Sequence, residues 1–170
     1  AAGVQTAANR QPTTASNARM FRDVVKPVLA DKCVSCHGSN KRKGELRLDT
    51  FAAIEKGGES GPAVVAGQPQ NSEMIRRIFL PMSHDEHMAP EGKTQLTAAE
   101  RALLRWWVTI EMPNDKPVTQ YQAQAPAQVR KYLAKQFDQP GGAQQIAEPK
   151  LTDAEIEKIH DQGLVLAREL

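Results

Sequence analysis

The sequence predicts an all-α fold, and three observations support that prediction. Apolar side chains recur at helical spacing between residues 20 and 29, which gives one face to bury just before Cys33. Residues 97–100 and 152–155 each have the pattern of a capping box, the usual start of a helix. The chain between the first two of these segments is rich in Gly and Pro, so we expect irregular loops there rather than strands.

Length and composition limit the function classes. A chain of 170 residues can bury one sizeable core and carry an appendage. Its 22 basic and 20 acidic residues give a formal charge of +2, which is too small to indicate nucleic-acid binding. No apolar run approaches the roughly 18–20 residues that span a bilayer. No signal sequence precedes Ala1, so we expect a mature or excised chain.

Composition divides the chain into three parts. Residues 1–18 are mainly Ala, Gln, Thr, Asn and Ser, which is typical of a flexible arm. Residues 19–115 hold the apolar helices and form the predicted domain. Residues 116–170 are a Pro/Gln/Ala-rich extension with two amphipathic helices. The second helix ends with the chain, so we expect it to pack on this domain or to contact a further domain or subunit.

The strongest functional signal lies in residues 33–37. Cys33, Cys36 and His37 form the pattern C-x-x-C-H, the attachment sequence of haem c. Each thiol of such a motif adds across one haem vinyl group, and the adjacent histidine becomes an axial ligand of the iron. The sequence therefore predicts one covalent haem c with His37 as proximal ligand. Because attachment of this kind takes place outside the cytoplasm, we expect a periplasmic or otherwise extracytoplasmic protein.

Two other interpretations of the cysteine pair carry less weight. A redox-active disulfide belongs mostly to thioredoxin-like units, and no apolar strand precedes Cys33 as such a unit requires. Zinc is the closer rival, because His84 and His87 could complete a Cys₂His₂ set and make the chain an interaction module. A zinc site would leave His37 without a role.

Several shorter segments surround the motif. Pro27 should lie in a first helical turn or at a kink, Thr50 should begin a short helix, and Asn71 or Ser72 should cap another. That third helix presents Met74, Ile75, Ile78 and Phe79 to the core or to the haem pocket. The helix that follows residue 97 has an apolar stripe able to cross the first helix, formed by Ala99, Leu103, Trp106, Trp107 and Ile110.

Two loops near the motif have candidate roles. Lys41, Arg42 and Lys43 would by default be a solvated loop, but beside the attachment site they are also a candidate docking surface for an acidic redox partner. The segment 61–67 could supply a backbone carbonyl to the free N–H of the proximal imidazole. We assign that contact to Pro62.

Residues 81–90 hold the candidates for the second axial ligand: Met82, His84, His87 and Met88. Imidazole is the stronger ligand for ferric iron, so affinity alone does not exclude the histidines. Pro90 restricts the residue before it to extended conformations, which should stiffen the loop just beyond Met88. Both histidines lie in an acidic, polar stretch, where we expect them to face solvent. Met82 follows the preceding helix too closely to reach across the haem.

Residues 20 to about 115 resemble the planctomycete-type cytochrome c domain, a divergent relative of class I cytochrome c. The matching segments are KPVL at residues 26–29, the haem motif to Gly38, GELRLD at 44–49, GGESGP at 57–62, and MAP at 88–90. The resemblance implies a class I cytochrome c-like monohaem fold whose irregular loops wrap the haem, with Met88 as distal ligand. Two departures lie beside that ligand: Ala89 replaces a usual second proline, and His87 stands where arginine is common.

Together these observations predict one-electron transfer in the bacterial cell envelope, with His37 and Met88 as the iron ligands. No catalytic triad, paired carboxylates or phosphate-binding loop is evident, so we expect a carrier that meets a redox protein rather than an enzyme. One alternative is a haem sensor or haem enzyme with a labile sixth ligand, because several ligand types crowd Met88. The other is the zinc-binding interaction module.

Overall fold

The computed structural model describes residues 14–137 of the chain. These residues contain five α-helices: α1 Lys26–Lys32, α2 Phe51–Lys56, α3 Glu73–Phe79, α4 Ala98–Thr109 and α5 Ala127–Phe137. Loops and short 3₁₀ turns connect them, and β pairing within residues 14–137 is limited to isolated bridges. The predicted all-α class is confirmed. None of the described helices is both long enough and apolar enough to cross a membrane.

The first apolar segment forms two joined helices that lead into the cysteine motif. Met20–Val25 is π-helical and continues directly into α1. Pro27 lies in the first turn of α1, as predicted, where the π-helical and α-helical segments join. The N–H of Cys33 donates to the carbonyl of Leu29 at 2.8 Å. The motif therefore begins where α1 ends.

Aromatic contacts join this first segment to α2 and α4. The ring of Phe21 stacks on Trp107 with centroids 6.0 Å apart, and Phe51 meets Phe21 edge-on at 5.3 Å. The predicted crossing of α4 over the first helical segment is thus confirmed. The predicted capping box of α4 also forms: Thr97 Oγ1 accepts from Glu100 N at 3.1 Å, and Thr97 N donates to Glu100 Oε2 at 2.7 Å.

Two expectations for α3 are wrong in part. Ser72 occupies the N-cap position, but its hydroxyl does not cap the helix. That hydroxyl accepts from Val65 N and donates to Gln68 O, each at 2.9 Å, and so it ties the preceding loop together. Phe79 was expected in the core or the haem pocket, yet it is 47% exposed. It lies under two guanidinium groups of α4, those of Arg101 and Arg105.

The apolar core continues past residue 115. Four buried side chains of the predicted extension belong to the same core as α4: Val118, Ala125, Val129 and Leu133. The N–H of Val118 donates to the carbonyl of Ala18 at 3.0 Å, and Ala18 is itself buried although it was assigned to the arm. The predicted boundary therefore does not separate two cores. Most of the arm and the second extension helix lie outside the described residues.

The packing of α5 on α4 generates a stability prediction. Leu133→Ala should lower the free energy of unfolding by about 2–5 kcal/mol, because it removes a buried side chain and leaves a cavity. Lys131→Ala, on the exposed side of the same helix, should change it by less than about 0.5 kcal/mol. Chemical denaturation followed by circular dichroism measures both. Equal midpoints for the two variants would show that α5 contributes little to the core.

Candidate functional site

The residues of the C-x-x-C-H motif form a tight turn at the end of α1. The N–H groups of Cys36 and His37 both donate to the carbonyl of Cys33, at 3.1 and 2.9 Å. Both cysteines are free thiols. The three side chains of the motif line one cavity. The turn thus brings two thiols and an imidazole to the same site.

The loop that follows the motif is held alongside it by backbone hydrogen bonds. The N–H of Lys43 donates to the carbonyl of Cys36 at 3.1 Å, and the N–H of Leu48 donates to the carbonyl of His37 at 2.8 Å. Leu46 and Leu48 of this loop both line the cavity. This loop is therefore one wall of the site.

The cavity has a volume of about 300 Å³ and mixed walls. Its apolar lining comes from several elements: Leu46, Leu48, Ala63, Met74, Ile78 and Leu96. Four cations and two carboxylates also border it, so cations outnumber anions: Lys32, Lys43, Arg77, Lys93, Glu59 and Glu73. A haem is a flat, largely apolar ring that carries two carboxylates, so apolar walls with cations around them suit it. The residues present fit the cofactor that the motif predicts.

Glycine allows two backbone segments to approach closely at this site. The N–H of Glu59 donates to the carbonyl of Gly44 at 2.9 Å, and the N–H of Gly58 donates to the carbonyl of Gly61 at 3.0 Å. A Cβ atom on Gly58 would lie 2.5 Å from the carbonyl oxygen of Gly44. No larger residue fits at position 58 without separating these segments.

The imidazole of His37 has the properties of a neutral metal ligand. Burial lowers its pKa, and nearby backbone groups of Lys43 and Leu46 oppose that shift only in part. A neutral imidazole is the form that binds a metal. The Nδ1 atom is buried and has no hydrogen-bond partner. A buried ring with an unsatisfied nitrogen is costly as a packing residue alone, which favours a role in binding.

The predicted hydrogen bond between His37 and the carbonyl of Pro62 is not formed. Pro62 does line the cavity, but Nδ1 of His37 makes no hydrogen bond to it. The backbone bonds that hold the following loop against the motif bring Lys43 and Leu46 to the ring instead.

The cysteines do not resemble a thioredoxin-type redox pair. Burial raises the pKa of the Cys33 thiol to about 11. Reactive cysteines of oxidoreductases have lowered pKa values, because the thiolate is the nucleophile. Cys33 is therefore a protonated thiol at neutral pH.

The four candidates for the second axial ligand lie in different environments. Met88 lines the cavity that holds Cys33 and His37, and none of the other three does. Met82 is 47% exposed, and His84 is exposed with its Nδ1 accepting from a backbone N–H at 3.1 Å. Met88 is therefore the only candidate that the structure brings to the motif.

The expectation that both histidines face solvent is wrong for His87. That side chain is only 4% exposed. Its Nδ1 lies 2.7 Å from the carbonyl oxygen of Leu80, and its Nε2 lies 3.0 Å from Oε1 of Gln95. The sequence around His87 is polar, yet its ring is buried between two oxygen acceptors, and a neutral imidazole donates its single N–H to one of them.

The alternative zinc site is not formed by the described residues. Across residues 14–137 no three or more His, Cys, Asp or Glu side chains are grouped so that they could hold a metal ion. His84 and His87 are not part of the cavity that Cys33 and Cys36 line. The Cys₂His₂ arrangement considered from the sequence is therefore wrong for this structure.

Comparison with known proteins agrees with the geometry of the site. Residues 33–92 match the family model described as Planctomycete cytochrome C. The chain contains a planctomycete-type cytochrome c domain. No curated protein and no solved structure matches the chain significantly.

The matched segment of the cytochrome c domain runs from the first cysteine to Gly92 and so includes both His37 and Met88. This match indicates a haem-binding, electron-transfer domain at residues 33–92. Helices α1 and α4, which close the core around the site, lie outside the match. The family match thus covers the cavity and leaves out much of the helical scaffold.

Sequence reasoning missed one residue of the site region, Gln95. Its Nε2 donates to the carbonyl oxygens of Ala89, Pro90 and Lys93, at 2.9, 3.1 and 3.0 Å. A single glutamine in a polar loop has no spacing or periodicity that would distinguish it from a solvated side chain. Only the folded loop reveals these contacts.

Proposed function

We propose that the cytochrome c domain carries one haem c, joined by thioethers to Cys33 and Cys36, with His37 and Met88 as axial ligands. Its role is one-electron transfer in an extracytoplasmic compartment. One observation carries the proposal: of the candidate distal ligands, Met88 alone shares a cavity with the motif. His87, which stands where the family commonly has arginine, does not compete with Met88 for the iron, because both of its ring nitrogens already face oxygen atoms.

Each residue of the site would have a distinct role in holding the haem. Haem iron supplies a centre that changes its oxidation state by one electron. The two cysteines fix its position, and the neutral imidazole of His37 is available to bind it. The thioether of Met88 favours the ferrous state, and His/Met ligation therefore gives a higher potential than two histidines would. The apolar walls limit access of water and keep the ligands in place in both states.

A haem sensor or enzyme with a labile sixth ligand receives less support. That alternative relied on several ligand types crowded around Met88. In the folded loop His84 and Met82 are exposed and His87 is engaged elsewhere. Ligand exchange would therefore need the loop to open.

The first test concerns covalent attachment. Protein matured in a bacterium with a cytochrome c assembly system should retain haem stain on a denaturing gel, and its intact mass should show one haem. The Cys33→Ala/Cys36→Ala variant should lose the stain, because neither thioether can form. Haem that acidified acetone extracts from the parent protein would contradict the proposal.

The second test concerns the distal ligand. Met88→Ala should abolish the weak red-end absorption of a methionine sulfur bound to ferric iron and lower the reduction potential. His84→Ala and His87→Ala should each keep that band, because neither removes the sulfur. Visible spectroscopy and potentiometric titration measure both properties. Loss of the band in His87→Ala but not in Met88→Ala would assign the ligand to His87.

The third test concerns the cations beside the motif. Lys41, Arg42 and Lys43 are all exposed, and Lys43 also lines the cavity. If this surface steers an acidic partner, Lys41→Glu/Arg42→Glu should slow reduction of ferricyanide, a multiply charged anion, about tenfold at low salt. At about 1 M salt the difference should vanish, because screening then acts over about 3 Å.

A control with the same charge change separates local steering from net charge. Lys131→Glu/Lys135→Glu alters two exposed cations of α5, well outside the cavity lining. Stopped-flow rates for this variant should stay within about twofold of the parent. Equal slowing in the two variants would mean that residues 41–43 are an ordinary solvated loop.

A further inference from the structure

We propose that Gln95 and His87 form a latch that holds Met88 at the cavity, and that Gln95 is thus a positioning residue for the distal ligand. This inference rests on the proposed role of Met88 as an axial ligand. It concerns the loop between α3 and α4. This loop holds the four candidate ligands, and Met88 is the one among them that lines the cavity.

The side-chain amide of Gln95 closes the loop on itself. The two N–H groups of its Nε2 are shared among the carbonyl oxygens of Ala89, Pro90 and Lys93, all within 3.1 Å. Three acceptors on this side fix the orientation of the amide, because a rotated amide would point its oxygen at three other oxygens. The residues just after Met88 are therefore gathered around one side chain.

The other atom of the same amide faces His87. Gln95 Oε1 lies 3.0 Å from Nε2 of His87, and the opposite ring nitrogen lies 2.7 Å from the carbonyl oxygen of Leu80. His87 is buried, so these contacts are shielded from water. The latch thus runs from the end of α3 through His87 and Gln95 to the backbone on the far side of Met88.

The remaining contacts that hold this loop to α3 are weaker. The N–H of Met88 donates to the carbonyl of Arg77 at 3.3 Å, a long hydrogen bond. Glu86 pairs with Arg76 at 2.9 Å and with Arg77 at 3.3 Å, but these side chains are partly exposed. Ion pairs of this kind contribute little in water. The buried latch is therefore the restraint on both sides of Met88 that is most shielded from water.

A positioning role has a measurable consequence. A thioether is a weak ligand of ferric iron, so an added ligand replaces it whenever the loop opens. Residues that keep the loop closed should slow that replacement without themselves touching the iron. We therefore expect loss of the latch to raise the rate at which imidazole replaces the sulfur ligand, while the protein without imidazole keeps that ligand.

The experiment measures imidazole binding to the ferric holoprotein by stopped flow, well below the unfolding temperature. Gln95→Ala should bind imidazole about tenfold faster than the parent, the size expected from loss of about one buried hydrogen bond. His87→Ala should act in the same direction. The double variant should be no faster than the faster single variant, because both changes break one connected network.

Two controls separate positioning from general destabilisation. Gln68→Ala removes a glutamine whose Oε1 accepts from Asn71, in an exposed loop that does not line the cavity. Val129→Ala lowers the stability of the core on α5 without touching the loop. Both controls should keep the imidazole rate within twofold of the parent. If Gln95→Ala yields too little holoprotein, Gln95→Asn withdraws the same amide by one methylene and should shift the rate in the same direction.

The possible outcomes are distinct. A rate in Gln95→Ala and Gln95→Asn equal to that of Gln68→Ala overturns the latch. An equal acceleration in Val129→Ala also overturns it, since stability alone would then set the rate. A red-end band that survives in Met88→Ala instead shows that the ligand assignment is wrong, and it does so independently of any Gln95 variant.

Discussion

The site depends on the turn in which Cys33 accepts two backbone hydrogen bonds at the end of α1. An α-helix leaves its last carbonyls without partners, and here the motif itself supplies the donors. The two thiols and the imidazole therefore leave the helix end together and reach one cavity. The stacking of Phe21 on Trp107 then fixes this helical segment against α4.

The parts of the fold that were predictable are those with local signals. The capping box at Thr97 and the threonine at position 50 that begins α2 are satisfied by contacts three residues away. The turn at residues 33–37 is equally local, because its hydrogen bonds span at most four residues. Such features are read correctly because no distant residue can change them.

The errors arose where long-range packing decided the outcome. A serine before a helix is normally a cap, but Ser72 meets the carbonyl of Gln68 and the N–H of Val65. A phenylalanine in an apolar stripe is normally buried, but the last turn of α3 leaves Phe79 beneath two arginines. The burial of His87 depended likewise on which oxygens the fold brings near its ring. None of these partners is marked in the sequence.

The close approach of Gly58 to Gly44 links residues 57–61 to the loop that holds the cysteine motif. Gly44 belongs to the loop whose backbone hydrogen bonds hold Cys36 and His37 in place. A methyl group at position 58 would push on the carbonyl of Gly44 and so on that loop. Substitutions that impair haem acquisition in such domains should therefore be sought at glycines far from the cysteines in sequence, as well as at the cysteines themselves. If haem is attached as proposed, such a substitution would keep Cys33, Cys36, His37 and Met88 and still impair attachment, because the motif's supporting loop would be displaced.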